Sequence, residues 1–214
     1  MPVSASMAST TVFIDDFNRG NGPLGSNYDT AAGFNSLNVN TSTARGFSSG
    51  RSLNSIKKSV ATFSPNQEAQ VTYTIFNPTW FDFAGPAVRV TPESGSGYVL
   101  NIDSLDANSR RLIRVSGSVN TGIVGAINLP AIAGDIFKLS ASGSTLMVYR
   151  NGILVNSVTD TTYPTGQPGL FYDLGNSNTT RMDNFIAADI PTTNATSLCI
   201  VSQNPVGKLI VGSQ

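Results

Sequence analysis

Gly134-Asp135-Ile136-Phe137-Lys138-Leu139-Ser140-Ala141-Ser142-Gly143-Ser144-Thr145-Leu146-Met147-Val148-Tyr149-Arg150-Asn151-Gly152 is the part of the 214-residue chain that decides its fold class. Two alternating runs, Ile136 to Ala141 and Leu146 to Arg150, flank a Ser-Gly-Ser turn, and the second runs into Asn151-Gly152. Asn-Gly between alternating segments is the strongest short-range hairpin signal, because both turn residues must take positive φ. The stretch continues through Asp160 and Gly166-Gln167-Pro168-Gly169-Leu170 to Met182-Asp183-Asn184-Phe185, and it holds no pair of residues suited to catalysis.

Working outward, strand candidates recur at short spacing. They are Val12 to Ile14, Ala69 to Phe76, Ala84 to Val90, Gly97 to Ile102, Arg110 to Ser116, Gly122 to Leu129, Ile153 to Thr159, Gly169 to Leu174 and Arg181 to Asp189. Turn residues interrupt almost every gap, and no convincing length shows helical periodicity, so the pattern predicts an all-β antiparallel sandwich. Ser52 to Val60, the best helical candidate, is rich in serine and β-branched residues and reads as strand or loop. Val71, Tyr73 and Ile75 alternate with Thr72, Thr74 and Phe76, as expected of a strand with one buried and one wet face.

Composition narrows the function. Charged residues make up 12% of the chain, about half the usual share. The 13 basic and 13 acidic residues cancel, which leaves little of the electrostatic attraction that nucleic-acid binding requires. Histidine is absent, which excludes Ser-His-Asp and Cys-His catalysis and histidine-ligated zinc. Cys199 is the single cysteine, so there is no disulfide framework and no thiolate metal site. Met1 to Thr11 lacks the basic and apolar regions of a secretory signal, and no run is long enough to span a membrane. The expectation is a protein without signal peptide or membrane contact that reaches the outside by lysis or virion assembly.

Three parts are expected: an N-terminal arm over residues 1–10, one sandwich over 11–190 and a C-terminal tail over 191–214. The tail carries two short apolar runs, Leu198-Cys199-Ile200-Val201 and Leu209-Ile210-Val211, around Asn204-Pro205. Such runs on a polar tether suit strand addition to another subunit's sheet edge, or packing on their own domain.

Four segments together resemble the concanavalin A-like lectin/glucanase family. Asp15-Asp16-Phe17-Asn18-Arg19-Gly20 to Tyr28 looks like the family's opening segment, with Tyr28 where Trp is usual. Gly85-Pro86-Ala87-Val88-Arg89-Val90, then Gly97-Tyr98-Val99-Leu100 and Leu112-Ile113-Arg114, resemble its central strands, and Gly134 to Phe185 resembles its ending. The resemblance implies a two-sheet jelly roll of laminin-G-like or pentraxin-like topology whose first and last strands pair. It further implies that Gly143, Gly152, Gly166 and Gly169 serve turns, and that Asp15, Asp16 and Asp183-Asn184 cap turns and pin the chain ends. Domains of this kind occur as glycan-binding modules, as glycosidases and in bacteriophage virion proteins.

Catalytic members of the fold use two carboxylates roughly 5.5 Å apart. Glu68 and Glu93 are the only glutamates and read as loop charges; Asp103 and Asp106 fall on opposite sides of an extended strand. Hydrolysis is therefore not expected. Asp173, Asn176 and Asn178 could supply some calcium oxygens but lack the spacing of a calcium loop, so no metal and no cofactor are expected. Glycan binding needs an exposed ring beside polar groups. Trp80 is the first stacking candidate, with closure of the core as its alternative role, and Tyr172 with Asp173 comes second.

These readings lead to a non-enzymatic bacteriophage virion protein, a capsid decoration attached through its terminal arms. Its expected partners are the major capsid protein or other virion subunits, with homo-oligomerisation and a host-surface glycan as further contacts. Leu198, Ile200, Val201, Leu209, Ile210 and Val211 would form the docking tail. A carbohydrate-binding or receptor-binding module of a tail fibre or bacterial surface protein is the alternative.

Overall fold

The computed structural model describes residues 10–46, 50–57, 60–75, 82–102, 111–117, 119–126, 131–174 and 180–191. Every element among them is a strand. In chain order they are β1 (Val12–Asp15), β2 (Gly22–Pro23), β3 (Tyr28–Thr30), β4 (Leu37–Val39), β5 (Ala44–Gly46), β6 (Gly50–Ile56), β7 (Gln67–Ile75) and β8 (Phe83–Thr91). There follow β9 (Ser96–Asn101), β10 (Arg111–Ser116), β11 (Val119–Ala126), β12 (Ile136–Ser142), β13 (Thr145–Arg150), β14 (Ile153–Thr159), β15 (Gln167–Leu174) and β16 (Arg181–Asp189).

They form two antiparallel sheets, as the alternation predicts. One runs β14-β13-β12-β7-β16-β5-β4-β2 with β1 added on β16; the other runs β11-β10-β9-β8-β15-β6-β3. The first and last strands pair, with Val12 opposite Ala188 and Asp15 opposite Phe185. In the deciding hairpins Asn151 and Gly152 sit at φ 51° and 80°, and Gly143 at 55°. The four short strands β2 to β5 have no counterpart in the sequence reading, because two or three residues are too few to show a period. Gly169 serves no turn. It lies within β15, where a Cβ would stand 2.1 Å from the Asn54 carbonyl oxygen, so its role is close strand approach.

The main core lies between the sheets. Val71 and Tyr73, Phe137 and Leu139, Val88, Leu100, Leu170, Tyr172, Met182 and Phe185 meet there, all fully buried. Each such side chain contributes about 1.5–3 kcal/mol. Asp15 closes one end of this core: it accepts hydrogen bonds from the Phe17 amide at 2.8 Å, the Tyr28 hydroxyl at 2.9 Å and the Arg19 guanidinium at 2.6 and 3.0 Å. Tyr28, in the position where the resembling family has Trp, thereby ties β3 to β1.

The seven-stranded sheet departs from the one-wet-face expectation. Leu53, Ala87, Val99, Ile113, Val115 and Phe171 point away from the main core and form a second buried cluster with Ala31 and Phe34. Runs such as Val99-Leu100, Leu112-Ile113 and Leu170-Phe171-Tyr172 are apolar without a break because both of their faces are covered. Arg89, 2% exposed, anchors the adjoining loops. It donates from Nε to the Pro65 carbonyl at 3.0 Å, from Nη1 to Tyr163 at 3.2 Å and from Nη2 to Gly143 at 2.6 Å. Its positive φ of 54° falls in the β8 stretch where the β8–β9 pairing loses register.

Candidate functional site

The outer face of the seven-stranded sheet is concave. Arg51 on β6 donates from Nη1 to Asn120 Oδ1 on β11 at 3.2 Å, although those strands stand five places apart in the sheet order. A flat sheet would hold them about 24 Å apart, so the sheet curls until its two margins meet over the face. Residues 31–35 strap across the same face: the Ala32 amide donates to the Pro92 carbonyl at 2.8 Å, and the Asn35 amide donates to Arg51 at 2.8 Å. Gly33, at φ 79°, lets the strap pass the β10–β11 turn, since a Cβ there would stand 2.9 Å from the Gly117 carbonyl carbon.

The second apolar cluster fills part of the hollow, and the remainder is a cavity of about 470 Å³. Its walls follow from strand register and parity. Arg51, Asp173 and Phe83 are successive cross-strand neighbours on β6, β15 and β8. Arg111 and Asn101 are neighbours on β10 and β9. Each is in phase with a residue of the apolar cluster two positions along its own strand: Arg51 with Leu53, Asp173 with Phe171, Asn101 with Val99 and Arg111 with Ile113. Ile113, Asn120, Thr121 and Gly122 complete the lining.

Arg51 Nε donates to Asp173 Oδ2 at 2.8 Å. Burial pushes the Asp173 carboxyl above its usual range, and the opposing pull of Arg51 only partly offsets this. Asn101 is 7% exposed, and its Oδ1 has no hydrogen-bond partner. The cavity thus combines two guanidiniums, one carboxylate, two amides and the apolar surfaces of Phe83 and Ile113. Directional polar groups around a small apolar area are what a polyhydroxylated ligand needs.

Of the sequence candidates, Asp173 is in this cavity and Tyr172 is not. Tyr172 is fully buried on the opposite side of β15, in the main core, and its hydroxyl donates to Asp82 Oδ2 at 3.3 Å. It cannot stack on a sugar: alternation places successive residues on opposite faces, and the polar one faces the hollow. Trp80 lies outside the described residues, three positions along the chain from Phe83. Leu198, Ile200, Val201, Leu209, Ile210 and Val211 also lie outside them, as do Asp103, Asp106, Asn176, Asn178 and Cys199. Glu68 pairs with Lys138 at 2.9 Å on the other sheet, and Glu93 is exposed in the β8–β9 turn. Among the described residues no group of three or more His, Cys, Asp or Glu could hold a metal ion.

Sequence reasoning missed Arg51, Phe83, Asn101, Arg111 and Asn120. They form no local motif. The signal available was a polar residue in phase with the second apolar face of a strand apolar on both faces.

No protein-family profile matches the sequence, and no curated protein matches it in sequence. Solved structures do share its architecture. The carbohydrate-binding module CBM66 from Bacillus subtilis superposes with a TM-score of 0.58 at 16% identity, over 88% of this chain and 100% of that one. The Bacillus licheniformis β-glucanase gives 0.54 at 12% identity, over 84% and 98%. A legume lectin-like domain from Entamoeba histolytica gives 0.51 at 15% identity, over 76% and 89%. The chain therefore has the concanavalin A-like jelly-roll fold. Binding modules and hydrolases both use it, so the fold alone does not separate them.

Proposed function

We propose that this chain is a lectin-like carbohydrate-binding module whose ligand enters the concave cavity between Arg51 and Arg111. The observation that carries this reading is the cross-sheet row of Arg51, Asp173, Phe83, Asn101 and Arg111, which surrounds a cavity of about 470 Å³ on the curled face. Asp173 and the amides of Asn101 and Asn120 suit sugar hydroxyls, and Phe83 offers apolar surface to a ring face. The strap over residues 31–35 and the second apolar cluster close one side, which suits a short saccharide or a chain end better than a polymer running through. The shared architecture with a carbohydrate-binding module and a legume lectin-like domain supports the class.

The non-catalytic part of the reading rests on charge chemistry. Glycoside hydrolysis generally takes two carboxyl groups on opposite sides of the scissile bond. Among the described lining residues there is one, Asp173, and Arg51 engages it. A glycan array followed by titration of the strongest ligand tests the binding, and incubation of that ligand with the protein tests hydrolysis. Saturable binding without product is expected; release of a shortened saccharide would replace the module by an enzyme.

Display on a bacteriophage particle remains a separate proposal about the tail over residues 191–214. Its test is incorporation into particles of a chain truncated before Pro191, and unchanged incorporation would remove the tail's docking role.

A further inference from the structure

We infer that the concave cavity selects saccharides carrying an anionic substituent, a carboxylate or a sulfate ester, over their neutral counterparts. This rests on the reading of the cavity as a glycan site and adds the charge class of the ligand.

The chain as a whole is neutral, with 13 basic and 13 acidic residues. The cavity is not: its described lining holds the guanidiniums of Arg51 and Arg111 against the single carboxylate of Asp173. That carboxylate is already engaged, because Arg51 Nε reaches it at 2.8 Å while Arg51 Nη1 turns to Asn120 at 3.2 Å. Arg51 and Asp173 therefore balance within one wall, and the excess positive charge belongs to the side where Arg111 stands beside Asn101. A neutral sugar entering would displace water from that guanidinium without supplying the opposite charge. An anionic group would supply it, through short charge-assisted hydrogen bonds of the forked geometry that guanidinium favours. Phe83 and Ile113 lower the local dielectric and strengthen the attraction, and a concave wall of one excess sign focuses it. Burial already disfavours the Asp173 charge, so this carboxylate opposes an incoming anion less than an exposed one would.

The test is calorimetric titration of the full chain with oligosaccharides that share one core and differ in a single substituent: none, a carboxylate or a sulfate. Inorganic sulfate and acetate serve as controls. The charged forms are expected to bind about tenfold or more tightly than the neutral core, with the gap shrinking as salt rises. The carboxylate and sulfate arms show which anion the cavity takes. Arg111→Gln should collapse the gap and Arg111→Lys should retain part of it, with circular dichroism reporting that both variants are folded. Equal binding of neutral and charged forms would overturn the inference and leave the glycan reading standing. Binding of inorganic sulfate as tight as that of the sulfated sugar would also overturn it, as a simple anion site. If no member of the panel and no array saccharide binds, the glycan reading itself fails.

Discussion

Arg51 and Asp173 face each other directly across β6 and β15, with Nε 2.8 Å from Oδ2, at the floor of the concave cavity. The pair fixes one polar wall of the site while the apolar cluster beside it fixes the curl. Asp173→Ala should therefore remove a wall of the site and leave the core intact. We expect saccharide affinity to fall by about tenfold or more, with a melting temperature within a few degrees of wild type. Titration and thermal melts of the same preparation check both outcomes.

The neighbouring residue supplies the contrast. Tyr172 is fully buried on the other face of the same strand. Tyr172→Phe removes the hydroxyl that donates to Asp82 and should cost about 0.5–1.5 kcal/mol of stability, without changing saccharide affinity. Denaturant melts and titrations read the two quantities separately. Loss of affinity with stability unchanged would reverse the assignment of faces on β15.

Arg89 should be the most sensitive of the buried polar residues. Its three donors hold the carbonyls of Pro65, Gly143 and Tyr163, which belong to three separate connections. Arg89→Met fills similar space but leaves those carbonyls unpaired, and we expect a loss of about 3 kcal/mol or more. Arg89→Lys should recover only part of this, because an ammonium cannot reach three divergent acceptors with a planar fork. Urea unfolding of both variants checks the order.

Two carboxylates should give opposite pH signatures. Burial works to raise the Asp135 carboxyl, but Arg150 at 2.7 Å, the Ile132 amide and the Asn151 side-chain amide outweigh it and hold the group below its ordinary 3.8. The folded state thus binds fewer protons there than the unfolded state, and the stabilisation present above the unfolded value is lost as pH falls through the folded one. Asp173 is raised, so between 3.8 and its folded value the folded chain binds more protons, and its contribution falls as pH rises. Stability measured from pH 3 to pH 7 should lose part of its acid sensitivity in Asp135→Asn. In Asp173→Asn it should lose a component of the opposite slope.

The turn that decided the fold is also a joint for this network. Asn151 at φ 51° donates to Asp135 and accepts from the Ile136 amide at 2.8 Å, and Gly152 follows at φ 80°. Gly152→Val should cost about 1–2 kcal/mol, read as a lowered urea midpoint.

The same contrast explains what the sequence disclosed. Asn151-Gly152 was legible because a turn type is imposed by its own two residues. The β1–β16 pairing was not visible in any local period; it followed only from the family resemblance carried by Asp15-Asp16-Phe17 and Asp183-Asn184-Phe185. The cavity was hidden because its residues lie on six strands, and what unites them is the curl that brings Arg51 to Asn120. Asp173 was chosen for its chemistry and proved well placed. Tyr172 was chosen for its ring, and strand parity turned it inward.

The most direct test of the account is the amide NMR spectrum of the labelled protein, titrated with the saccharide that binds most tightly on an array. The account predicts the largest shifts at Arg51, Asn101, Arg111, Asn120 and Asp173, with the outer strands β13 and β14 of the opposite sheet unmoved. Shifts confined to that opposite sheet, with these five residues silent, would contradict it.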